Sequence, residues 1–268
     1  MDPLPIEVVL PDLRGAFKVH QNVVLSADPG AGKTTRVPLA LLDESWLAGK
    51  KIVMLEPRRL AAQRAAAYMA QLLGEATGET VGYRIRGESR VGKKTRIEVV
   101  TEGVLTRMLQ DDAALPGVGL VIFDEFHERS IHADLGLALT LDVQENLRND
   151  LRILVMSATL DGLAVATLLG DASVIKSEGR MFPVTTRYLD RQQDGSMEPL
   201  VTATIVRALQ EESGNVLVFL PGQREIRRVD SLISNHELPS GVTVHALFGD
   251  APPEKQQLTL APTTAGRR

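Results

Sequence analysis

One segment of the sequence combines glycines with a lysine and two threonines: Ser26-Ala-Asp-Pro-Gly-Ala-Gly-Lys-Thr-Thr35. It follows an apolar run and precedes a helical pattern. A loop in that position aims backbone N–H groups and the positive end of the helix at a phosphate. Lys33 would then reach the β- and γ-phosphates of a nucleotide, and the Thr34 hydroxyl would hold Mg²⁺. Ala27 stands where the strict pattern has glycine, and a glycine-rich turn that happens to contain Lys-Thr is the alternative. The residues expected to contact nucleotide are Asp28, Pro29, Gly30, Ala31, Gly32, Lys33, Thr34 and Thr35.

A second segment, Asp124-Glu-Phe-His127, places two acids directly after a short apolar run. Asp124 can share the Mg²⁺ held by Thr34, and Glu125 can orient and deprotonate a water for in-line attack on the γ-phosphorus. Taken alone, the acids could merely begin the next helix, where negative charge is favoured, and His127 could be an ordinary helix-start histidine. Together with the upstream loop they predict a hydrolytic site with Asp124, Glu125 and His127 as catalytic residues. His127 would relay the state of the γ-phosphate to a neighbouring segment.

The elements that must position these residues alternate between apolar strands and helices. Strands are expected up to Leu25 and at 51–56, 97–101, 120–124, 151–156 and 173–176, with helices at 32–46, 58–73, 103–110, 133–147 and 161–169. This alternation predicts an α/β fold with right-handed crossovers, in which helices cover both faces of a parallel sheet. In such sheets ligands bind at the carboxyl ends of the strands, which is where both segments fall.

The chain is expected to contain two domains. Residues 1–20 are a lead-in, and residues 178–183 form a connector. A second, shorter α/β series follows, with strands expected at 184–189, 216–220 and 242–247. We therefore predict one domain over residues 1–182 and a smaller, incomplete one over residues 183–268.

The composition excludes several classes of site. The 268 residues carry a net charge of −4, so nucleic acid could be bound only by local basic clusters and not by a uniformly basic surface. The absence of cysteine excludes disulfides and cysteine-ligated metals, and it is compatible with a reducing cytoplasm. The sequence contains neither an apolar run long enough to span a membrane nor the pattern of a signal peptide. We expect a cytoplasmic monomer without a membrane partner.

Further segments make a family resemblance specific. They are, in order, Glu56-Pro-Arg-Arg-Leu-Ala-Ala62, Gly82-Tyr-Arg-Ile-Arg86, Val100-Thr-Glu-Gly-Val-Leu-Thr-Arg107, Ser157-Ala-Thr159, Glu178-Gly-Arg-Met-Phe-Pro183 and Phe219-Leu-Pro-Gly222. With the two segments above, the chain resembles superfamily 2 helicases of the DEAH-box class, most of all the bacterial HrpB-type ATP-dependent helicases. The resemblance covers nearly the whole chain. It implies a RecA-like P-loop NTPase domain followed by a partial second RecA-like lobe, with ATP, or another nucleoside triphosphate, and Mg²⁺ as cofactors.

The resemblance also implies roles for residues outside the hydrolytic site. Ser157, Ala158 and Thr159 would couple hydrolysis to movement between the two lobes. The residues expected to hold the backbone of a single strand, RNA in preference to DNA, are Arg58, Arg59, Arg86, Thr101, Glu102 and Gly103. Arginines and backbone N–H groups suit phosphates, although Arg58 and Arg59 could also be a solvated helix start. A basic cluster is interpreted either as an electrostatic footprint or as a charged hairpin tip; its members are Arg84, Arg86, Arg90, Lys93, Lys94 and Arg96.

Two features of the family pattern are altered or missing. The family holds adenine between an arginine and an aromatic side chain, and the matching positions are Tyr68 and Leu260; Tyr68 could stack on a base. Two later motifs, one of which supplies an arginine finger, do not occur, and Arg267-Arg268 lies in a different context. Such a finger contributes about 10³–10⁵ in rate. We therefore expect an amino-terminal helicase fragment that binds nucleotide with Mg²⁺, hydrolyses it slowly and does not unwind a duplex.

Two other functions are compatible with a phosphate-binding loop. The alternative is a non-enzymatic, nucleotide-gated module that binds nucleic acid, although such a regulator could tolerate the loss of Lys33, Thr34, Asp124 and Glu125. A P-loop kinase or GTPase is disfavoured because it needs neither the Ser-Ala-Thr nor the Pro-Arg-Arg segment, nor a second α/β lobe.

Overall fold

A computed structural model of the chain describes residues 4–158, 162–179, 183–189, 196–261 and 266–268. The chain divides into two compact units, residues 1–183 and 184–268. Thr159, connector residues 180–182 and the side chain of Leu260 lie outside the described part of the chain. Across the described residues, no helix has the length and apolar character needed to cross a membrane.

The first unit is built on a single sheet. Its strands are β1 (Asn22–Ala27), β2 (Lys51–Glu56), β3 (Val81–Ile85), β4 (Glu88–Arg90), β5 (Ile97–Thr101), β6 (Val118–Phe123), β7 (Arg152–Ser157) and β8 (Ser173–Ser177). The eight strands lie in the order β4-β3-β5-β2-β6-β7-β1-β8. Every neighbouring pair runs parallel except β3 and β4, which form a hairpin. The sequence analysis predicted no strands there, although it gave a charged hairpin tip as one interpretation of the basic cluster.

Helices of the first unit cover both faces of this sheet. They are α1 (Pro5–Val19), α2 (Lys33–Leu41), α3 (Arg59–Leu72), α4 (Glu102–Asp111), α5 (Ile131–Asn146) and α6 (Gly162–Leu168). Alternate strand residues point to opposite faces, and Met54 belongs to one buried apolar cluster whereas its neighbours Val53 and Leu55 belong to another. Each face of the sheet therefore has its own hydrophobic core, and the predicted α/β fold is confirmed.

The amino-terminal lead-in is more regular than expected. Pro5 occupies the first turn of α1, where its fixed φ and missing N–H are tolerated. Ile6, Leu13 and Phe17 recur on one face of this helix and are fully buried. The tertiary core, which sequence inspection did not reveal, thus stabilises a helix where only a lead-in was predicted.

The second unit is held together by helices. These are α7 (Met197–Glu211), α8 (Gln223–Ile233) and α9 (Pro253–Leu260). Ile205 and Leu209 of α7 pack against Val229 and Ile233 of α8. The prediction of strands at 184–189, 216–220 and 242–247 is wrong, because the described residues there form no ladder apart from one isolated bridge. Residues with high β propensity favour an extended backbone, but a strand also needs a neighbouring segment that accepts and donates its hydrogen bonds.

Candidate nucleotide and nucleic-acid sites

The predicted phosphate loop, residues 28–35, runs from the carboxyl end of β1 into the first turn of α2. Gly30 and Gly32 have φ values of 80° and 93°, a conformation that favours glycine. A Cβ atom at Gly30 would meet open space, whereas one at Gly32 would lie 2.7 Å from Leu4 Cδ1 of the chain leading into α1. A side chain at Gly32 would therefore strain φ and would also displace the end of the Leu4 side chain. Ala27, where the strict pattern has glycine, ends β1 and is 2% exposed, so its methyl group fills core space.

Two contacts join the phosphate loop to the acids that follow β6. The Thr34 hydroxyl donates to Asp124 Oδ2 at 2.6 Å, and Lys33 Nζ lies 2.9 Å from Glu125 Oε1. Lys33 is 4% exposed and Glu125 is 28% exposed, so solvent only partly screens this ion pair. The structure thus brings together the lysine, hydroxyl and both carboxylates that the sequence analysis assigned to one site.

Asp124 is fixed within this site by its own backbone and by its neighbours. Its N–H donates to the Leu55 carbonyl at 3.0 Å, and its Oδ1 accepts the Glu125 N–H at 2.8 Å. Burial raises the pKa of Asp124, and the Glu125 charge acts in the same direction, whereas the hydrogen bond from Thr34 opposes them. A cation placed beside Thr34 and Asp124 would offset this penalty on the charged carboxylate.

Glu56 is a buried carboxyl that the sequence analysis did not assign to the site. It ends β2, is 2% exposed and forms a hydrogen bond with Asp124. Burial, followed by the nearby Asp124 charge, raises the pKa of Glu56 to about 9. The available signal was an acid at the carboxyl end of a predicted buried strand, directly before the Pro-Arg-Arg segment.

Glu125 and His127 lie where the backbone leaves β6. Glu125 has a φ of 49°, in the left-handed region, and precedes a 3₁₀ turn over Phe126–Glu128. His127 Nδ1 accepts the Ala158 N–H at 3.3 Å, which makes Nδ1 the unprotonated ring nitrogen. Nδ1 also lies 3.3 Å from Glu125 Oε2, a contact that cannot be a hydrogen bond in the same tautomer. The predicted link between His127 and the 157–159 segment is thus present as a contact to Ala158, beside the buried Ser157, while Thr159 lies outside the described residues.

Tyr68 lies on α3 beside the phosphate loop. A cavity of about 340 Å³ is lined by Thr34, Thr35, Glu56, Ala61, Arg64, Ala65, Tyr68 and Glu125. Tyr68 is 46% exposed, so its ring is available to a ligand. Arg64, one helical turn earlier on the same side of α3, also lines this cavity and was not predicted. The i, i+4 spacing to Tyr68 was the signal that could have identified it.

The Asp28 carboxylate faces a different part of the first unit. Its Oδ2 accepts the Gly179 N–H at 2.9 Å. A Cβ atom at Gly179 would lie 2.5 Å from Asp28 Cβ, so the two chains are in close contact. The Asp28 backbone therefore belongs to the phosphate loop, whereas its side chain bonds to the start of the 178–183 connector.

A basic groove brings together four of the six residues predicted to hold a single strand. The groove has a volume of about 670 Å³ and is lined by Arg59, Arg84, Ile85, Arg86, Gly87, Thr101, Gly103, Val104, Arg107, Met108 and Asp111. Arg59 donates to the Arg86 carbonyl at 3.1 Å, which joins α3 to the β3–β4 turn. Arg107, one turn along α4 from Gly103, adds a cation that was not predicted.

The other two predicted strand-holding residues lie elsewhere. Arg58 donates to both Glu128 carboxylate oxygens, at 3.0 and 3.1 Å. Glu102 Oε1 accepts the Ser130 hydroxyl at 2.7 Å. Arg58 and Glu102 line a separate cavity of about 200 Å³ next to Asp124. The arginines of the Pro-Arg-Arg segment therefore point to different sites, because consecutive residues at a helix start diverge in direction.

Three of the six members of the basic cluster around the β3–β4 hairpin form ion pairs. Arg84 Nε lies 2.9 Å from the buried Glu98, Arg90 lies 3.8 Å from Glu88, and Arg96 lies 3.1 Å from Asp43. Of its six members, Arg84 and Arg86 line the groove. Arg90 and Arg96 form ion pairs outside the groove, and Lys93 and Lys94 are not among its lining residues.

Comparisons with known proteins identify the family. The model of the DEAD/DEAH box helicase family matches residues 10–167. The chain is 49% identical over 268 residues to the ATP-dependent RNA helicase HrpB of Escherichia coli, covering 100% of this chain and 33% of that protein. It is 30% identical to the ATP-dependent RNA helicase HrpA of Borreliella burgdorferi, covering 99% of this chain and 32% of that protein. It thus spans about a third of the length of these curated relatives.

Solved structures agree with the sequence comparison. A crystal structure of the E. coli DEAH/RHA helicase HrpB matches with a TM-score of 0.91 at 48% identity, covering 98% of this chain and 34% of that chain. A crystal structure of the E. coli DExH-box NTPase HrpB matches with a TM-score of 0.82 at 48% identity, covering 100% of this chain and 33% of that chain. With the family model covering more than half of its length, the chain belongs to the DEAD/DEAH box helicase family.

Proposed function

We propose that the first unit binds a nucleoside triphosphate, ATP above all, with Mg²⁺, and uses its hydrolysis to act on a single strand of RNA. The observation that carries this proposal is the 2.6 Å hydrogen bond from Thr34 to Asp124, because it joins the phosphate loop to the acids after β6. The names of the relatives, ATP-dependent RNA helicases, support ATP and RNA as the ligands.

The residues beside the phosphate loop fit a magnesium ion. Thr34 Oγ1 and Asp124 Oδ2 already converge, and Mg²⁺ commonly takes one or two protein oxygens together with phosphate oxygens and waters. The described residues contain no cluster of three or more acids and histidines of the kind that holds a metal by protein ligands alone. Mg²⁺ bound here would neutralise charge on the β- and γ-phosphate oxygens.

The protein's own residues then account for the hydrolytic step. Lys33 leaves Glu125 and binds the phosphate oxygens, which frees the Glu125 carboxylate. Glu125 orients a water and accepts its proton, the water oxygen forms a bond to the γ-phosphorus, and the bond from that phosphorus to the β-γ bridging oxygen breaks. His127, through the Ala158 N–H, would pass the change at Glu125 to the 157–159 segment.

The basic groove would hold the RNA backbone. Arg59, Arg86 and Arg107 supply cations, Thr101 supplies a hydroxyl, and no aromatic side chain is among the described residues that line the groove. Backbone contacts therefore dominate over base stacking. For a single strand, each lost phosphate contact lowers the slope of log K against log salt by about 0.7. Arg107→Gln should reduce the slope by this amount in a titration with labelled oligo(U), and Arg224→Gln, on α8 of the second unit, is the matched control.

We further propose that this 268-residue chain hydrolyses ATP slowly and does not unwind a duplex. Its two terminal arginines do not act as a finger, since Arg267 donates to the Leu209 and Gly214 carbonyls and Arg268 to the Thr259 carbonyl. The test is a steady-state ATPase assay with and without single-stranded RNA. A turnover of about one per second or above would contradict this proposal, since that is the range of a complete enzyme. We also propose that the protein is cytoplasmic and monomeric. Light scattering of the same preparation should therefore give the mass of a monomer.

A further inference from the structure

Residues 4–7, here called the support segment, contact the phosphate loop through a backbone hydrogen bond. The Ile6 N–H donates to the Ala31 carbonyl at 3.2 Å. Both residues are buried, so water does not compete for either group and the hydrogen bond is stronger than it would be in solvent. The Ala31 carbonyl is therefore held in one direction by the start of α1, an element outside the loop.

This hydrogen bond also sets the direction of the next N–H group in the loop. A trans peptide unit is planar, and its carbonyl and its N–H point in opposite directions. Because the Ala31 carbonyl is directed at α1, the Gly32 N–H is directed away from α1. Gly32 is the N-cap of α2, and N–H groups at a helix start of this kind bind phosphate.

Side chains of the support segment make further contacts with the same region. A Cβ atom built at Gly32 would lie 2.7 Å from Leu4 Cδ1 and 3.3 Å from Ile6 Cγ2, so both side chains pack closely against this glycine. Glu7 Oε1 lies 3.5 Å from Arg36 Nε, in the first turn of α2. The support segment therefore contacts both the end of the loop and the helix that follows it.

The start of α1 lacks the side-chain cap that a helix commonly has. Leu4 occupies the N-cap position, where serine, threonine, aspartate and asparagine are preferred because their oxygens accept an N–H from the first turn. Pro5, the first helical residue, has no N–H. Ile6, the second, has an N–H that a capping side chain could take, and this N–H donates to Ala31 instead. The apolar N-cap thus leaves the Ile6 N–H available to the phosphate loop.

We propose that the support segment is a positioning element of the nucleotide site, which aims the Gly32 N–H at a phosphate group through the Ala31 carbonyl. It acts through the loop and not by direct contact with the nucleotide. This inference rests on the nucleotide binding proposed above. A side chain that caps α1 should then stabilise the helix and yet weaken nucleotide binding, because it competes with Ala31 for the Ile6 N–H.

The test compares Leu4→Ala with Leu4→Ser in the full chain. Both substitutions remove the leucine side chain from Gly32, and each should raise the Kd for fluorescent ADP by about threefold or more. Only serine supplies an oxygen that accepts the Ile6 N–H. In calorimetry Leu4→Ser should therefore have a higher Tm than Leu4→Ala, whereas its Kd for ADP should be about threefold higher still.

Leu10→Ala is the matched control, because Leu10 also lies on α1 and packs against the same apolar cluster as Leu4. It should lower Tm and leave the Kd for ADP unchanged. Inorganic pyrophosphate, used to displace fluorescent ADP, has neither base nor ribose and reports on phosphate binding alone. Its affinity should fall in the two Leu4 variants by the same factors as that of ADP.

Three results would overturn the proposal. In the first, affinity follows Tm, so that Leu4→Ser binds ADP more tightly than Leu4→Ala, which would show a purely structural role. In the second, Leu10→Ala weakens binding as much as Leu4→Ala. In the third, ADP affinity falls while pyrophosphate affinity is unchanged. Failure of the original chain to bind either ligand would instead overturn the proposed function, and this inference with it.

Discussion

Replacing Glu125 with glutamine should make the chain bind nucleotide more tightly, although it removes the expected general base. Without ligand, Lys33 Nζ is held 2.9 Å from Glu125 Oε1, and Lys33 must leave this partner to contact a phosphate. Glu125→Gln keeps the side-chain size and a neutral acceptor but removes the charge. The Lys33–Glu125 ion pair then no longer stabilises the empty site, so nucleotide binding does not have to break it.

The magnitude follows from the burial of the two partners. A hydrogen bond between charged groups contributes about 1.5–3 kcal/mol and a neutral one about 1 kcal/mol. Glu125 is 28% exposed, which places the difference near the low end, at about 1 kcal/mol. Glu125→Gln should therefore lower the free energy of unfolding of the empty chain by about 1 kcal/mol, and lower the Kd for nucleotide by about fivefold. The two changes should be equal in free energy because both measure the same lost pair.

Fluorescent ADP is the suitable ligand, because its use separates release of Lys33 from any effect of Glu125 on the γ-phosphate. The Kd is measured for the original chain, Glu125→Gln and the control Glu145→Gln, which makes the same chemical change at an exposed position near the end of α5. Urea unfolding of the ligand-free proteins gives the second quantity. With ATP, single-turnover hydrolysis should fall by about 10²–10⁴ in Glu125→Gln. A non-enzymatic module would show no such fall.

Two results would refute this reasoning. If Glu125→Gln binds ADP no more tightly than the original chain, Lys33 is not restrained by Glu125 in the empty site. If affinity rises while the free energy of unfolding is unchanged, the gain comes from the ligand complex and not from the lost ion pair.

Three further predictions follow from local geometry. Gly32→Ala should lower both Tm and nucleotide affinity more than Gly30→Ala. Both substitutions strain a positive φ, but only the methyl group added at Gly32 clashes, because it lies 2.7 Å from a leucine side chain. Calorimetry and ADP titration compare the two variants, and equal effects would contradict the packing argument. Gly179→Ala should weaken ADP binding, because the added Cβ atom would displace Asp28 and the loop that follows. The hydrogen-exchange protection of α5 should stay unchanged, which reports that the unit remains folded. An unaltered Kd would show that Asp28 does not position the loop. Hydrogen bonds from a neighbouring arginine and lysine hold the pKa of Asp150 below its usual range, so its stabilising effect is complete above the unfolded pKa near 4 and is lost as pH falls below it. Asp150→Asn should therefore cost about 1 kcal/mol or less at pH 7 and progressively less in acid, and a cost that grows on acidification in urea unfolding would reverse this sign.

The parts of the fold that could be predicted depend on local patterns. Short apolar runs identified β1, β2, β5, β6, β7 and β8, and the alternation with helices then predicted a parallel sheet. The same rule placed the phosphate loop and Asp124 at one sheet edge, where the structure has them in contact.

Other features depend on partners that are distant in sequence. The lead-in forms α1 only because Ile6, Leu13 and Phe17 meet the core. Residues 216–220 and 242–247 have strand-like sequences, yet they form no strand, because among the described residues no neighbouring segment forms a ladder with them.

By itself, the sequence determined the chemistry proposed for the nucleotide site, because a phosphate loop and a strand-end acid pair are recognised from residue types within short segments. Only the tertiary structure decided how that chemistry is restrained: Lys33 rests on Glu125, Glu56 is buried against Asp124, and Arg58 points away from the groove that holds Arg59. The physical reason is that spacing along the chain specifies which residues lie at the sheet edge, whereas charge pairing and burial depend on which side chains from separate strands and helices come within a few ångströms of each other.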